Sequence, residues 1–296
     1  MESYPLPAHR LVAELIEQAA GAPHRTISFQ GAPGANSHQA VRDARPDAIP
    51  LPCFSFEDAI DAVREGRAGQ AMIPIENSIH GRVADIHFLL PESGLSIVAE
   101  HFLRVRHCLV GAGTIDDVRE AMSHPQALGQ CRHWLRGRGI KPVVNADTAG
   151  AAAQAAELGD PRIGAISSRL ASELYGLNLL SEGIEDEAHN TTRFVILARE
   201  AETPPPGAPS MTSFLFEVKN TPASLYKALG CFATNGVNMT KLESYQRGGS
   251  FQATEFFADI QGDPSQPAVA AALEELTFHA KSVRMLGSYP QGEANR

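Results

Sequence analysis

The sequence predicts an α/β protein in two parts: a longer part of alternating strands and helices, then a shorter ferredoxin-like βαββαβ part. Three observations carry this reading. Up to residue 199, short β-branched and aromatic runs alternate with segments whose apolar residues recur at helical spacing. A Pro-rich stretch over 200–210, "EAETPPPGAPS", cannot continue a helix or a central strand and reads as a linker. Beyond it the order changes to strand, helix, two strands, helix, strand.

Residues 1–24 form an extension in which Leu11, Leu15 and Ile16 fit one face of a helix. The main part, 25–199, opens with the strand "RTISFQ" and a Gly-rich turn, "GAPGANSHQ", where Asn36 or Ser37 can cap the next helix. "AIPLPCF" is extended. "SFEDAIDAVREG" is a helix: Ser55 and Asp58 have capping-box spacing, Ala59, Ile60 and Val63 give an apolar face, and Gly66 closes it. "GQAMIPIENS" is a strand running into a polar loop, and "LSIVAEHFLRVRHCLVGA" reads as long extended structure. "TIDDVREAM", "PQALGQCRHWLRG", "TAGAAAQAAELG" and "SSRLASELYG" read as helices, and "RIGAIS" and "TRFVILA" as strands, which predicts a largely parallel sheet. Over 211–290, "TSFLFEVKN" is a strand and "PASLYKALGCFATNG" a helix with Pro222 near its first turn. "VNMTKLESYQ" and "SFQATEFFADIQG" are strands joined by a turn at "RGG". "SQPAVAAALEELTFHA" is a helix, "VRMLGSY" a last strand, and 291–296 a tail. Fold alone assigns no function.

Of the 296 residues, 43% are apolar and 20% charged, enough for a packed core. The net charge of −9 argues against a nucleic-acid partner, which would need a clustered basic face, but leaves room for a small anion held by a local Arg. Cys53, Cys108, Cys131 and Cys231 form no C-x-x-C pair and sit among apolar neighbours, so reduced, buried thiols are expected. The start lacks a basic region followed by an apolar one, and no apolar run approaches membrane-spanning length. The expectation is a cytoplasmic protein with no membrane partner.

Ligands of open α/β sheets bind beyond the carboxyl ends of strands and at helix N-termini, so polar residues at those junctions are the candidates. Four clusters stand there. "GAPGANSHQ" contains Ser37 but no G-K-[ST], which excludes a nucleotide P-loop; "VGAGTID" lacks the third glycine of a dinucleotide turn. "PIENSIHGR" offers Glu76, Asn77 and Ser78, equally readable as a capped polar loop and as a cleft wall. In "SHPQALGQC", Ser123 and Gln126 have capping-box spacing, and Gln130, one turn on, shares the side of Gln126. "NTTRF" places Thr191, Thr192, Arg193 and Phe194 at the mouth of an apolar strand, where a buried Arg needs an anion. No Ser-His-Asp order emerges. The histidines, including the pairs His80/His87 and His101/His107, lack the spacing of helical metal sites, so no metal and no cofactor is expected. Such a set suits chemistry that needs a held anion and help for a leaving group.

"GAPGANSHQA", "IPIENSIHGRV", "SHPQALGQC", "TAGAA", "SSRLASELYGL" and "NTTRF", taken in this order and spacing, resemble the bacterial prephenate dehydratases that carry a C-terminal ACT regulatory domain. The likeness runs from about Thr26 to Tyr289. It implies a catalytic domain of two α/β lobes, like a type-II periplasmic binding protein, with chain crossovers near 101–105 and 183–188 and the site in the cleft. It implies conversion of prephenate to phenylpyruvate, CO2 and water in phenylalanine biosynthesis. The resemblance places the essential hydroxyl at Thr192, with Glu76 as a rival proton donor. It gives Arg193 a substrate carboxylate and sets Asn77, Ser78, Ser123 and Gln130 around the substrate; Ser37, Gln126, Thr191 and Phe194 join them as candidate lining.

For the C-terminal part the resemblance implies pairing into a homodimer or homotetramer, with L-phenylalanine bound by Asn220, Ala223, Ser224, Leu225, Glu243 and Ser244. The family's P-G-A-L is here Pro222-Ala223-Ser224-Leu225, and its E-S-R-P is Glu243-Ser244-Tyr245-Gln246. A lost Gly removes a close backbone approach, and Tyr for Arg changes charge and bulk. Two other readings stand beside the first: an arogenate dehydratase, acting on the aminated analogue, and a non-catalytic amino-acid sensor.

Overall fold

The computed structural model describes residues 4–83, 86–245 and 255–293; the expected turn at Arg247–Gly249, and Gln246, lie outside them. The chain opens with α1 (Leu6–Gly21), β1 (Thr26–Gln30), α2 (Asn36–Ala44), β2 (Ile49–Cys53), α3 (Phe56–Arg64), β3 (Gln70–Asn77) and β4 (Gly81–Arg82). It continues through α4 (Ile86–Glu92), β5 (Ser96–Arg104), β6 (Cys108–Gly111), β7 (Glu120–Ser123), α5 (Pro125–Gln130), α6 (Arg132–Arg138) and β8 (Lys141–Val144). α7 (Thr148–Leu158), β9 (Ile163–Ser167), α8 (Arg169–Tyr175), β10 (Asn178–Glu182) and β11 (Thr191–Ala198) follow. The rest is β12 (Ser210–Val218), α9 (Ser224–Thr234), β13 (Met239–Tyr245), β14 (Glu255–Gln261), α10 (Pro267–His279) and β15 (Ala280–Pro290).

Two α/β sheets precede β12. The first runs β2-β1-β3-β11-β5, with β4 paired to β3; the second runs β10-β6-β9-β7-β8. The chain leaves the first sheet between Arg104 and Cys108 and returns between Glu182 and Thr191. Contacts group the residues through Leu89 with His101–Phe194 as one compact unit, and Leu90–Glu100 with Val195–Glu293 as another; the Pro-rich stretch 200–210 belongs to the second.

Local chemistry fixes most boundaries. Ser55 accepts from Asp58 N–H while the Asp58 carboxylate takes Ser55 N–H, so both halves of the expected capping box start α3. The α7 helix begins where Asp147 accepts from Gly150 N–H and ends at Gly159, which sits in the left-handed region at φ 60°. Its run of Ala149, Ala151, Ala152, Ala153 and Ala155 is fully buried, small side chains letting the helix lie close on its sheet.

Three expectations are corrected. "TIDDVREAM" is not a helix. Asp117 accepts from Thr114 N–H and Oγ1 at 2.9 and 2.6 Å, and Arg119 and Glu120 both give their N–H to Arg162 O, drawing the chain into β7. The long extended stretch splits into β5 and β6, in different sheets. The parallel expectation holds for β1 with β2 and β3 and for β7 with β8 and β9, but β6 runs antiparallel to both β9 and β10.

In the second unit, four antiparallel strands run β13-β14-β12-β15, the strand order of a ferredoxin-like βαββαβ fold. Phe214 and Phe216 of β12 and Ile260 of β14 pack with Phe232 of α9 and Val269 and Leu276 of α10. The Phe214 and Phe232 rings stack with centroids 5.7 Å apart. Ala223, where the resemblance expects a glycine, adopts φ 64° and ψ 10° as the residue preceding α9. Beside it the Thr221 and Ser224 hydroxyls are 2.6 Å apart, and Leu225 packs partly buried against the core. Glu243 takes Lys241 Nζ at 3.0 Å and the Tyr245 hydroxyl at 3.0 Å. No helix among the described residues is long and apolar enough to cross a membrane.

Candidate active site

A cavity of about 630 Å³ opens where β1 and β3 end and where β11, α2, α5 and α7 begin, with residues of the first sheet and of the segments flanking β6, β7 and β8 in its wall. Ser37, Asn77, Gln126, Gln130, Thr192 and Phe194 line it, as does Arg82.

The start of α2 forms part of the cavity wall. The helix starts at Asn36, and no side chain caps it, so neither Asn36 nor Ser37 plays the expected capping part. Ala35, Asn36 and Ser37, at this uncapped helix start, line the cavity. The loop before it is clamped. Ser168 donates to Gly34 O at 2.6 Å and Tyr175 to Pro33 O at 2.7 Å. Gly34 has φ 92°, and a Cβ there would meet Ala171 Cα at 2.8 Å, so only glycine fits. Gly34 N–H donates to His38 Nδ1 at 3.0 Å. Burial, with Arg42 adding to it, pushes His38 down to about 4, which keeps that nitrogen an acceptor.

Elsewhere in the wall a chain of amides and imidazoles has one consistent sense. Asn77 Oδ1 accepts the N–H groups of Ile79 and His80, each at 3.0 Å, so Nδ2 must point away from them. That Nδ2 donates to Asn190 Oδ1 at 2.8 Å and to Thr192 Oγ1 at 3.0 Å. Asn190, only 2% exposed, then donates from Nδ2 to Gln130 Oε1 at 3.0 Å. Gln130 Oε1 also receives His107 Nε2, 2.5 Å away, and Gln130 Nε2 gives its hydrogen to His80 Nε2 at 2.8 Å. Burial lowers the His107 pKa against the opposing pull of Gln130 and Glu185, leaving a neutral ring whose one hydrogen is on Nε2. The outcome concerns Thr192. Its oxygen is an acceptor toward Asn77, so its own proton is left for the cavity.

The other expected residues stand elsewhere. Ser78 braces the backbone: its Oγ donates to His189 O at 2.7 Å and accepts Thr191 N–H at 2.9 Å, tying the start of β11 to the end of β3. Thr191 thus acts through its backbone. Arg193, 9% exposed, is not in the cavity wall; it alternates with Thr192 and Phe194 along β11 and so projects from the opposite face. Among the described residues the wall's one arginine is Arg82, whose Cα pairs with that of Glu76; Glu76 itself does not line the cavity. Ser123 is fully buried at the end of β7 and donates to Ile166 O at 2.7 Å. The cap of α5 is His124, whose Nδ1 accepts Gln126 N–H at 3.3 Å, in place of the expected Ser123 box.

Sequence reasoning missed His80, His107, Asn190 and Arg82. The signal for His80 and Arg82 was their place in the quoted "PIENSIHGR", and for Asn190 its place at the head of "NTTRF". His107 gave none, since its partner Gln130 is 23 residues away.

The family model for prephenate dehydratase matches residues 27–202. A "bifunctional N-acyl-homoserine lactone acylase/prephenate dehydratase" of Komagataeibacter europaeus is 51% identical over 275 residues, 92% of this chain and 98% of that one. An Arabidopsis thaliana chloroplastic "arogenate dehydratase/prephenate dehydratase 1" is 38% identical, over 89% of this chain and 71% of its own. The crystal structure of an Arthrobacter aurescens prephenate dehydratase in complex with L-Phe superposes with a TM-score of 0.81 at 30% identity, covering 90% of each chain.

Proposed function

The chain belongs to the prephenate dehydratase family, and on that premise we propose that it converts prephenate to phenylpyruvate, CO2 and water in phenylalanine biosynthesis. The electron flow is simple. The bond from the ring to its carboxylate breaks, CO2 leaves, and the electron pair enters the ring. The double bonds shift, and the C4–O pair departs with the oxygen, which takes up a proton to become water. Aromaticity drives the step, so the protein must hold a dianion and stabilise the departing oxygen.

The observation that carries this reading is the bond from Asn77 Nδ2 to Thr192 Oγ1. With its lone pair engaged by an amide that cannot reverse, the Thr192 hydroxyl donates toward the leaving oxygen. The α2 N-terminus and Arg82 supply positive ends for the two carboxylates, the part first given to Arg193. Glu76 is outside the wall; Thr192 keeps its proton and gives the departing oxygen a hydrogen bond, and the proton that completes water comes from solvent.

The Komagataeibacter relative bears an acylase in its name. Amide hydrolysis would need an attacking hydroxyl beside a base, and Asn77 Nδ2 is a donor that cannot take the Thr192 proton, which favours dehydration. The same donor argues against a sensor without chemistry. In the second unit, binding of L-phenylalanine as a feedback effector, with pairing of chains, is supported by the strand order and by the L-Phe complex of the Arthrobacter protein. Absorbance assays for phenylpyruvate from prephenate, with arogenate and an N-acyl-homoserine lactone in parallel, test the reading; turnover confined to either of the latter two would refute it.

A further inference from the structure

The second unit holds a cluster of donor atoms that plays no part in the cavity. Cys231 lies in the last turn of α9, and Glu275 and His279, four residues apart, share a face in the last turn of α10. The Cys231 sulfur, a Glu275 oxygen and a His279 nitrogen all lie within 4.8 Å of one another.

The surroundings are organised as those of a metal ligand set are. Asn235 Nδ2 donates to Glu275 Oε2 at 3.0 Å and to Cys231 O at 2.8 Å, joining the two helix ends. Thr234 Oγ1 reaches the same carboxylate oxygen at 3.5 Å. One Glu275 oxygen is thus held in place, as outer partners hold ligating carboxylates. Two helix C-termini end at the cluster, each carrying partial negative charge that favours a cation. Cys231 is buried, while Glu275 and His279 are half-exposed and leave an approach from solvent.

We propose that Cys231, Glu275 and His279 form a three-ligand site for a zinc-class divalent cation, with water as the fourth ligand. The sulfur, nitrogen and oxygen set suits zinc rather than magnesium or calcium, which take oxygen alone. Tetrahedral zinc, with bonds of about 2.0–2.3 Å, holds its ligand atoms roughly 3.3–3.8 Å apart, so the three side chains close in by about 1 Å on binding. Binding replaces the thiol proton: Cys–SH and the dication give a thiolate–metal bond and one released proton. The ion would fasten α9 to α10.

The test is a cobalt(II) titration of the full chain, followed by zinc competition. One equivalent should raise a near-ultraviolet thiolate-to-cobalt band that zinc abolishes, and zinc should raise the thermal midpoint. Cys231→Ser should lose the band, His279→Ala should weaken affinity by at least ~100-fold, and Asn235→Ala, which removes only the outer partner, by about 10-fold. If Cys231→Ser does not fold, the other two variants decide. A band that survives Cys231→Ser, equal affinity in His279→Ala, or wild-type half-saturation only above about 0.1 mM overturns the proposal.

Discussion

Asn77 Nδ2 stands 3.0 Å from Thr192 Oγ1, and because Asn77 Oδ1 is already taken by two backbone N–H groups, the bond runs in one direction only. Asn77→Asp tests that direction. The carboxylate keeps the size and the backbone bonds but has no hydrogen to give, so Thr192 turns its proton toward residue 77. Turnover is expected to fall about 100-fold with KM changed only a few-fold, as for loss of a single transition-state donor. Steady-state phenylpyruvate absorbance measures it; an unchanged kcat would show that the proton's direction is irrelevant.

Arg82 and Arg193 should fail differently. Arg82→Gln removes a positive group from the cavity wall and is expected to raise KM roughly 10–100-fold with kcat within a few-fold. Arg193→Gln disturbs a buried side chain behind β11 and should lower the thermal midpoint instead. A rise in KM for Arg193→Gln at unchanged stability would return the carboxylate to that residue.

His38 gives the fold an acid limit. Its folded pKa, about 4, lies below the unfolded 6.5, so the unfolded chain binds the extra proton as pH falls through that window. Stability is therefore full above 6.5 and lost on the way down to 4, by about 3 kcal/mol. Urea titrations of the wild type and His38→Gln at pH 7 and pH 4.5 should show a smaller acid loss in the variant. Equal losses would remove His38 as the cause.

Ala223 holds a left-handed conformation, at φ 64°, that costs an L-residue about 1–2 kcal/mol. Ala223→Gly relieves it but loosens the unfolded chain by about 0.4–1 kcal/mol, so a net gain of about 0.5 kcal/mol is expected. Chemical denaturation measures this. A clear loss of stability would mean that the Ala223 methyl group makes a packing contact worth more than the strain.

How far the sequence could be read follows from the range of the interactions. The capping box of Ser55 and Asp58, the closure of α7 at Gly159 and the βαββαβ order all rest on local chemistry, and all were legible. Glu120–Met122, the end of "TIDDVREAM", reads as helix locally and becomes a strand only because it lies between β8 and β9. Thr192 and Asn77 were legible as polar strand ends, but the bond between them spans 115 residues. Arg193 was misplaced because an Arg beside a hydroxyl looks like one site in sequence, whereas neighbours in a strand face opposite ways.

The most direct test compares Thr192→Ser with Thr192→Val. Serine keeps the hydroxyl and valine keeps the shape, so only the hydrogen-bond donor separates them. With folding verified by thermal midpoint, kcat for prephenate should stay within about 10-fold in the serine variant and fall about 10²–10³-fold in the valine variant. A valine variant that turns over within a few-fold of the wild type would contradict the assignment of the departing oxygen to Thr192.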